Sequence, residues 1–370
     1  MIGSLQPRDT NAGGAGRALL VELFGSHEGC LYSHAVLLRE LGYRVDAAVA
    51  ESLTGKLPSF IPPHRRFALP TDRKGVTHRG LLRACRLLRD TSYDLLLFNT
   101  FRSRCVRTVL AAASASLSVV GFHHNPDRLR HSVSQRIMLR RCRKILVAGH
   151  RVKRCAGELA PAADLESFYP VYRDEPARPL RVGTPLIVAV PGSLSYKKRA
   201  YDWLIDQAAQ RAPAGGRVEF RLLGNASRDD GPCIAERIRR AGLADRIRTW
   251  NHFLPPQRFR AELEEAHLVM PLIHPEQELA LSFHTSKTSG AIMDAHSTRR
   301  PLLLEEHFRG NDGEYDTSAF FYAPDNFAAL VRHMLHEPSG LRDKAASIAA
   351  DPRFQLTAQA RRIDAWLRRP

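Results

Sequence analysis

Three stretches of this 370-residue chain carry side chains whose types and spacing suit the handling of a phosphate ester. In the segment from His267 to Leu304, an apolar run ends at Pro271 and acids follow at Glu276 and Glu278. The polar run HTSKTSG then opens a helical pattern, AIMDAHSTRRPLLL. The unbonded amides of a helix's first turn, here Thr288, Ser289 and Gly290, collect anions together with the positive end of the dipole, and Lys287 adds a full charge. In VAVPGSLSYKKRAYDWLI, Gly192 and Ser193 follow an apolar run, and Lys197, Lys198 and Arg199 stand just before a helix. Paired ammonium groups beside a flexible turn suit a diphosphate; as a mere helix start they would oppose the dipole. In VVGFHHNPD, His123 and His124 end a strand-like run with Asn125 and Asp127 beside them. An imidazole there could orient a polar ligand or take a proton, since its pKa lies near neutrality; the bland alternative is a structural histidine pair in a turn. Gly25-Ser26-His27 ends the first apolar run in the same manner, with a turn or capping role as its alternative.

These residues need strands and helices to position them. ALLVELF reads as a buried strand, LYSHAVLLRELGY as an amphipathic helix closing at Gly42, and RVDAAVA as the next strand, which makes a βαβ unit. Further strands are predicted at Tyr93–Phe98, Leu117–Phe122 and Ile145–Ala148. The proline-rich segment FYPVYRDEPARPLRVGTP lacks a sustained period and reads as a linker. A second series follows: LIVAVPG, a helix from Ala200 to Gln210, VEFRLLG, a helix from Ile234 to Ala241, IRTWNHF, a helix from Gln257 to Ala266, HLVMPLI, a helix after Lys287, PLLLE, and NFAALVRHMLHE. Continuous apolar strands alternating with helices imply parallel sheets covered on both faces. The expected organisation is α/β: a loose leader over 1–16, a doubly wound domain over 17–175, a second over 176–350, and a C-terminal helix within 351–370 that packs back on the first. Ligands in such sheets bind beyond the carboxyl ends of the strands, where each of the three stretches falls.

Composition narrows the partners. No apolar run approaches the ~20 residues of a membrane span, and no small-residue cleavage site follows the first apolar run, so a cytoplasmic protein is expected. The six cysteines are scattered, without zinc spacing. The net charge of +17 is uneven: +12 falls before position 176 and +5 after it. The densest basic run is Arg128 to Arg154, and Arg79, Arg83, Arg86 and Arg89 recur at helical spacing. Such a surface suits anionic headgroups on the inner face of a membrane, or is a solvated face in an arginine-rich chain. The run lacks interleaved aromatics, which argues against nucleic acid as a partner.

The order of segments resembles the family 4-like glycosyltransferases of the GT-B fold, in which two Rossmann-like doubly wound domains face each other across a cleft. The places that family fills in its second domain are held here by Gly192 with Lys197 and Lys198, by Gly224, by His252-Phe253-Leu254, by Pro271, by Glu276 and Glu278, and by SGAIMDAHSTRRPLLL. In the first domain, VVGFHHNPD, KILVAGHRVKR and FYPVY take corresponding places. The resemblance implies a nucleotide-diphosphate sugar as donor. Lys197 or Lys198, Lys287, and the amides of Ser289 and Gly290 would neutralise its diphosphate, and Asp294 would meet its ribose. It implies that Gly25-Ser26-His27 lies where donor and acceptor meet, that no metal or cofactor is needed, and that the acceptor is a glycan or lipid-linked sugar of bacterial surface polysaccharide synthesis. One departure stands out: eight positions before Asp294 the chain has Ser286 rather than an acid, and Glu278 lies 16 positions before it. The alternative reading is a non-catalytic GT-B scaffold or glycan-binding module.

Overall fold

The alternation of apolar runs and amphipathic helices resolves into two parallel sheets. The structure, a computed structural model, describes residues 16–25, 28–72, 75–173, 176–183, 185–210, 218–310 and 312–369. Ser26 and His27, and all of the expected leader but Gly16, lie outside these described residues. The first half contributes β1 (Arg17–Glu22), β2 (Arg44–Ala50), β3 (Arg66–Leu69), a small antiparallel ribbon of β4 (Thr71–Asp72) and β5 (Gly75–Val76), then β6 (Leu95–Phe98), β7 (Ser118–His123), β8 (Lys144–Val147) and β9 (Asp164–Ser167). The second half contributes β10 (Leu186–Val190), β11 (Val218–Asn225), β12 (Ile247–Trp250), β13 (Leu268–Val269), β14 (Leu302–Glu305) and β15 (Ala319–Tyr322). The sheet orders are β3-β2-β1-β6-β7-β8-β9 and β12-β11-β10-β13-β14-β15, with every pairing parallel.

Central strands are largely apolar because helices cover both faces; Leu19, Leu20 and Leu96 are fully buried in one core and Val188, Val190 and Leu222 in another. The strands that the pattern does not reveal, β3, β9 and β15, are all sheet edges. An edge strand has one flank unpaired and stays short, so RFAL and DLES carry no sustained apolar run. A helix at Ser339–Ala350 and a short one at Ala280–Thr285 also go beyond the sequence reading. The latter forms where the polar run was read as loop, and the following helix begins at Gly290. Among the described residues no helix is long and apolar enough to cross a membrane. The cysteines are all free, and Cys233 is exposed rather than buried as small core residues usually are.

The two halves are clasped at the start of the helix His150–Leu159. Glu314, from the second half, accepts hydrogen bonds from the amides of His150 (2.8 Å) and Arg151 (3.1 Å) and from the Tyr169 hydroxyl (2.7 Å). The carboxylate thereby caps the positive end of the helix dipole. Gly149 adopts φ of 102°, and a Cβ there would sit 2.6 Å from the Glu314 carboxylate, so glycine is required on both counts. Arg151 reaches back, donating to the carbonyls of Phe308 (2.7 Å) and His284 (3.3 Å). The helix Leu356–Leu367 crosses from the second half to lie on the first: Ala360, Ile363 and Trp366 belong to the first core. The Trp366 indole donates to Asp164 at 2.7 Å, and Gln359 brackets Tyr169 by bonding both its amide and its carbonyl.

Trp366 is fully buried, so Trp366→Ala should cost about 3–5 kcal/mol of stability. Hydrogen exchange should show the loss at the C-terminal helix and at β8 and β9; protection unchanged there would refute the packing.

Candidate functional site

In each sheet the chain order reverses once, between β1 and β6 and between β10 and β13. The crevice at such a switch point, outside the strand ends, is where open α/β sheets bind ligands.

At the first switch point stands Glu22, the last residue of β1. It is fully buried and accepts from Asn99 Nδ2 (2.5 Å), the Thr100 hydroxyl (2.6 Å) and the Phe24 amide (2.7 Å). Burial pushes its carboxyl up to about 7, against the pull of those donors. Asn99 also meets His34 Nδ1 at 2.7 Å through its side-chain oxygen, and its backbone carbonyl lies 3.0 Å from His124 Nε2. A carbonyl accepts only, so His124 carries its proton on Nε2 and its lone pair on Nδ1. The ring is half-buried, set edge-on to Phe122 with centroids 4.7 Å apart. His123 is different: Nδ1 accepts from the Asn125 amide (3.2 Å) and Nε2 meets Gln135 Oε1 (3.0 Å). With both nitrogens engaged and burial holding its pKa down at about 4, it fixes the strand-end turn and is not available for proton transfer. This corrects its candidacy as a base.

The second switch point is built on glycines. Gly192 has φ of 110°, and a Cβ on it would overlap the Arg199 guanidinium at 2.2 Å. A Cβ on Gly224, at the end of β11, would meet Leu194 at 2.1 Å and the Gly192 carbonyl at 2.3 Å. Two strand ends and the turn between them therefore approach as only glycine allows. Arg199 is buried and folds back onto the turn, donating to the carbonyls of Pro191 (2.8 Å) and Ser193 (3.3 Å). Lys198 is half-buried and bonds Ser193 Oγ at 3.2 Å. Lys197 points elsewhere, pairing with Glu278 at 3.3 Å on the surface. Of the lysine pair, only Lys198 belongs to the crevice.

Lys287 lies beside Ser282 Oγ (3.3 Å), and burial lowers its pKa, with the charges of Arg128 and Lys198 acting in the same direction and Asp127 against them. Three cations from three segments thus sit within electrostatic range, next to the first turn of the helix Gly290–Thr298. Ser289 caps that helix without a side-chain bond, and Gly290 is exposed. Thr288 turns away to bond the Ala148 carbonyl in the first half. Asp127, at the end of the turn after β7, accepts from Ser286 Oγ across the cleft at 2.5 Å.

The remaining expected contacts do not converge. Glu276 is exposed and faces His274 Nδ1 at 3.4 Å, Glu278 is taken by Lys197, and Asp294 pairs with Arg173 of the connecting segment at 3.5 Å. Burial raises the Asp294 pKa. The acidic loop therefore supplies no carboxylate beside Lys287; the one that acts on it comes from Asp127 of the opposite half. His252 and Phe253 are exposed and Leu254 is half-covered, so they form an open rim; Gly25 is exposed beside Ser52. Glu22, Asn99 and Thr100 escaped the sequence reading, while Arg199 and Arg128 were noted there only as part of basic runs. The only signal for Glu22 was an acid inside an otherwise apolar run. Among the described residues no group of three or more His, Cys, Asp or Glu could hold a metal ion.

No family model and no curated protein matches the chain in sequence. Solved structures do match in shape. HepE of Anabaena, in complex with UDP-glucose, superposes with TM-score 0.62 at 15% identity over 95% of this chain and 98% of its own. A glycosyltransferase of Rickettsia africae gives 0.60 at 12% identity over 95% and 98%. An alpha-glucosyltransferase in complex with UDP-glucose and DNA containing an abasic site gives 0.59 at 11% identity over 90% and 94%. The fold is GT-B, with two Rossmann-like domains.

The raised Glu22 pKa has a definite consequence for stability. Below its unfolded value of 4.5 both states are protonated; between 4.5 and about 7 only the unfolded state ionises, so stability falls as pH rises. The full penalty, roughly 3 kcal/mol, is reached above the folded value. Glu22→Gln should flatten this decline between pH 5 and 8 in denaturant unfolding. An identical slope in the variant would show that Glu22 titrates normally.

Proposed function

We propose that this chain is a nucleotide-sugar-dependent glycosyltransferase, moving a hexose-type sugar to a glycan or lipid-linked acceptor in the synthesis of a bacterial surface polysaccharide. The observation that carries this reading is the grouping of Lys287 with Lys198 and Arg128 at the first turn of the helix Gly290–Thr298, beside a glycine-built switch point. That arrangement suits a diphosphate that gains charge as it leaves. The GT-B neighbours that hold UDP-glucose support the same donor class. Lysines, an arginine and helix amides can neutralise the leaving group, so the reading needs no metal and no cofactor.

In the reaction an acceptor hydroxyl attacks the anomeric carbon while the bond from that carbon to the diphosphate oxygen breaks. The nucleoside diphosphate leaves with the bonding pair. The hydroxyl proton goes to His124 Nδ1 if attack comes from the face opposite the diphosphate, which inverts configuration. It goes to the departing phosphate if attack comes from the same face, which retains it. The Asn99 backbone carbonyl holds His124 in the tautomer that leaves Nδ1 as the basic nitrogen.

The basic first half favours contact with an anionic membrane surface. The helix Val133–Arg141 exposes Val133 and Ile137 beside Arg136 and Arg140, and the helix His78–Asp90 exposes Leu82 among Arg79, Arg83, Arg86 and Arg89. Apolar side chains set among arginines suit a headgroup layer. Sedimentation with phosphatidylglycerol vesicles should exceed that with phosphatidylcholine; equal recovery removes this part.

A charge-assisted hydrogen bond is worth about 1.5–3 kcal/mol, or roughly 10- to 150-fold in affinity. Lys287→Ala and Lys198→Ala should each weaken UDP binding by at least about tenfold, whereas Lys197→Ala should not. His124→Ala should abolish an inverting transfer with UDP binding intact, and EDTA should leave turnover unchanged. Full transfer activity in Lys287→Ala and His124→Ala would refute the assignment. Absence of nucleotide binding in the native chain would favour the non-catalytic scaffold.

A further inference from the structure

A cavity of about 760 Å³ opens in the first half beyond the ends of β6 and β7. Phe24, Arg102, Ser103, Arg104, Arg128 and Ser134 line it. Its chemistry is one-sided. None of the three guanidinium groups forms an ion pair among the described residues; Arg102 instead stands over the Phe24 ring, 5.0 Å from its centroid. Burial, and next the charge of Arg128, lower the pKa of Arg102, with the Glu22 carboxyl acting against them. Asp127, the acid on the wall, is already bonded by Ser286. The Ser103 and Ser134 hydroxyl oxygens are shielded from solvent and have no hydrogen-bond partner among the described residues. Ser103 opens the ten-residue helix Ser103–Ala112, whose first amides face the same way as its dipole's positive end.

Three guanidinium groups outside any ion pair among the described residues, shielded hydroxyls without partners and a helix start in one cavity together make an anion-binding site. Of the cations assigned to the donor, Lys198 and Lys287 belong to the second half, whereas Arg128 stands on the wall of this cavity, so the cavity adjoins the donor site at Arg128 and extends from it into the first half. We infer that it receives a phosphate group carried by the acceptor, so that the acceptor is a sugar phosphate or a phosphate-linked lipid. This inference rests on the glycosyltransferase reading above. The cavity volume exceeds what one phosphate fills and leaves room for an attached sugar.

The test is calorimetric titration of the full chain with inorganic pyrophosphate, alone and at saturating UDP. Pyrophosphate should still bind with UDP present, and Arg102→Ala/Arg104→Ala should weaken that binding at least tenfold while changing UDP affinity by less than about twofold. Arg104→Gln, at an exposed position where folding is not at stake, should give a smaller loss in the same direction. Loss of all pyrophosphate binding under UDP, or an equal loss of UDP affinity in the arginine variants, would overturn the inference and place these arginines in the donor site. If UDP fails to bind the native chain, the donor reading falls, yet an arginine-dependent pyrophosphate site would stand. Glucose 1-phosphate against phosphatidic acid vesicles, with phosphatidylcholine vesicles as control, separates a soluble from a lipid source. Arginine-dependent binding of a short DNA duplex, with no pyrophosphate site, would also overturn it.

Discussion

The arrangement of this molecule depends on one carboxylate crossing between its halves. Glu314 caps the helix that starts at His150, and the Tyr169 hydroxyl holds the same carboxylate from the segment where the first half ends. A buried carboxylate is costly unless its oxygens are satisfied, and here three donors and a helix dipole satisfy them. Because two of those donors are backbone amides, the contact fixes a helix axis rather than a flexible side chain. The two sheets therefore face each other with strand ends opposed, and Gly149 is the position that lets the chains come close enough. The other crossings, Ser286 to Asp127 and Thr288 to Ala148, fall in line with that placement.

Across the cleft the two sides solve opposite electrostatic problems. The second half gathers positive charge at a turn whose close packing against Arg199 and Leu194 only glycines allow. The first half buries a carboxylate, Glu22, whose ionisation opposes folding. That carboxyl holds the Asn99 side chain, while the Asn99 backbone carbonyl faces His124 Nε2 and sets the tautomer of the half-buried imidazole.

Local competition among charges explains which expected residues stay outside the site. Lys197 and Lys198 are neighbours in sequence, yet successive residues entering a helix point in different directions. Lys197 meets Glu278 and leaves the crevice, and Lys198 turns inward. Asp294 is drawn to Arg173, and Glu276 stands exposed by His274. The acid that the spacing lacks at Ser286 has a counterpart in Asp127, which reaches the Ser286 hydroxyl from the facing domain.

Read as a sequence, the chain determined its class and its order of elements. Apolar strand runs, amphipathic helices and a proline-rich break are local signals, and burial on both faces of a parallel sheet imposes them directly. Gly192, Gly224, Lys198, Lys287 and His124 were legible as candidates because each sits near a strand end or helix start that those signals locate. Edge strands β3 and β9 were not, since half-paired strands need no continuous apolar run. The tertiary structure alone decided that Lys197 pairs with Glu278 while Lys198 bonds Ser193, and that His123 is engaged at both nitrogens while His124 meets the Asn99 carbonyl. It alone brought Glu22, Asn99, Arg102 and Arg128 together, because their proximity comes from sheet order and from domains meeting, which no spacing along the chain encodes.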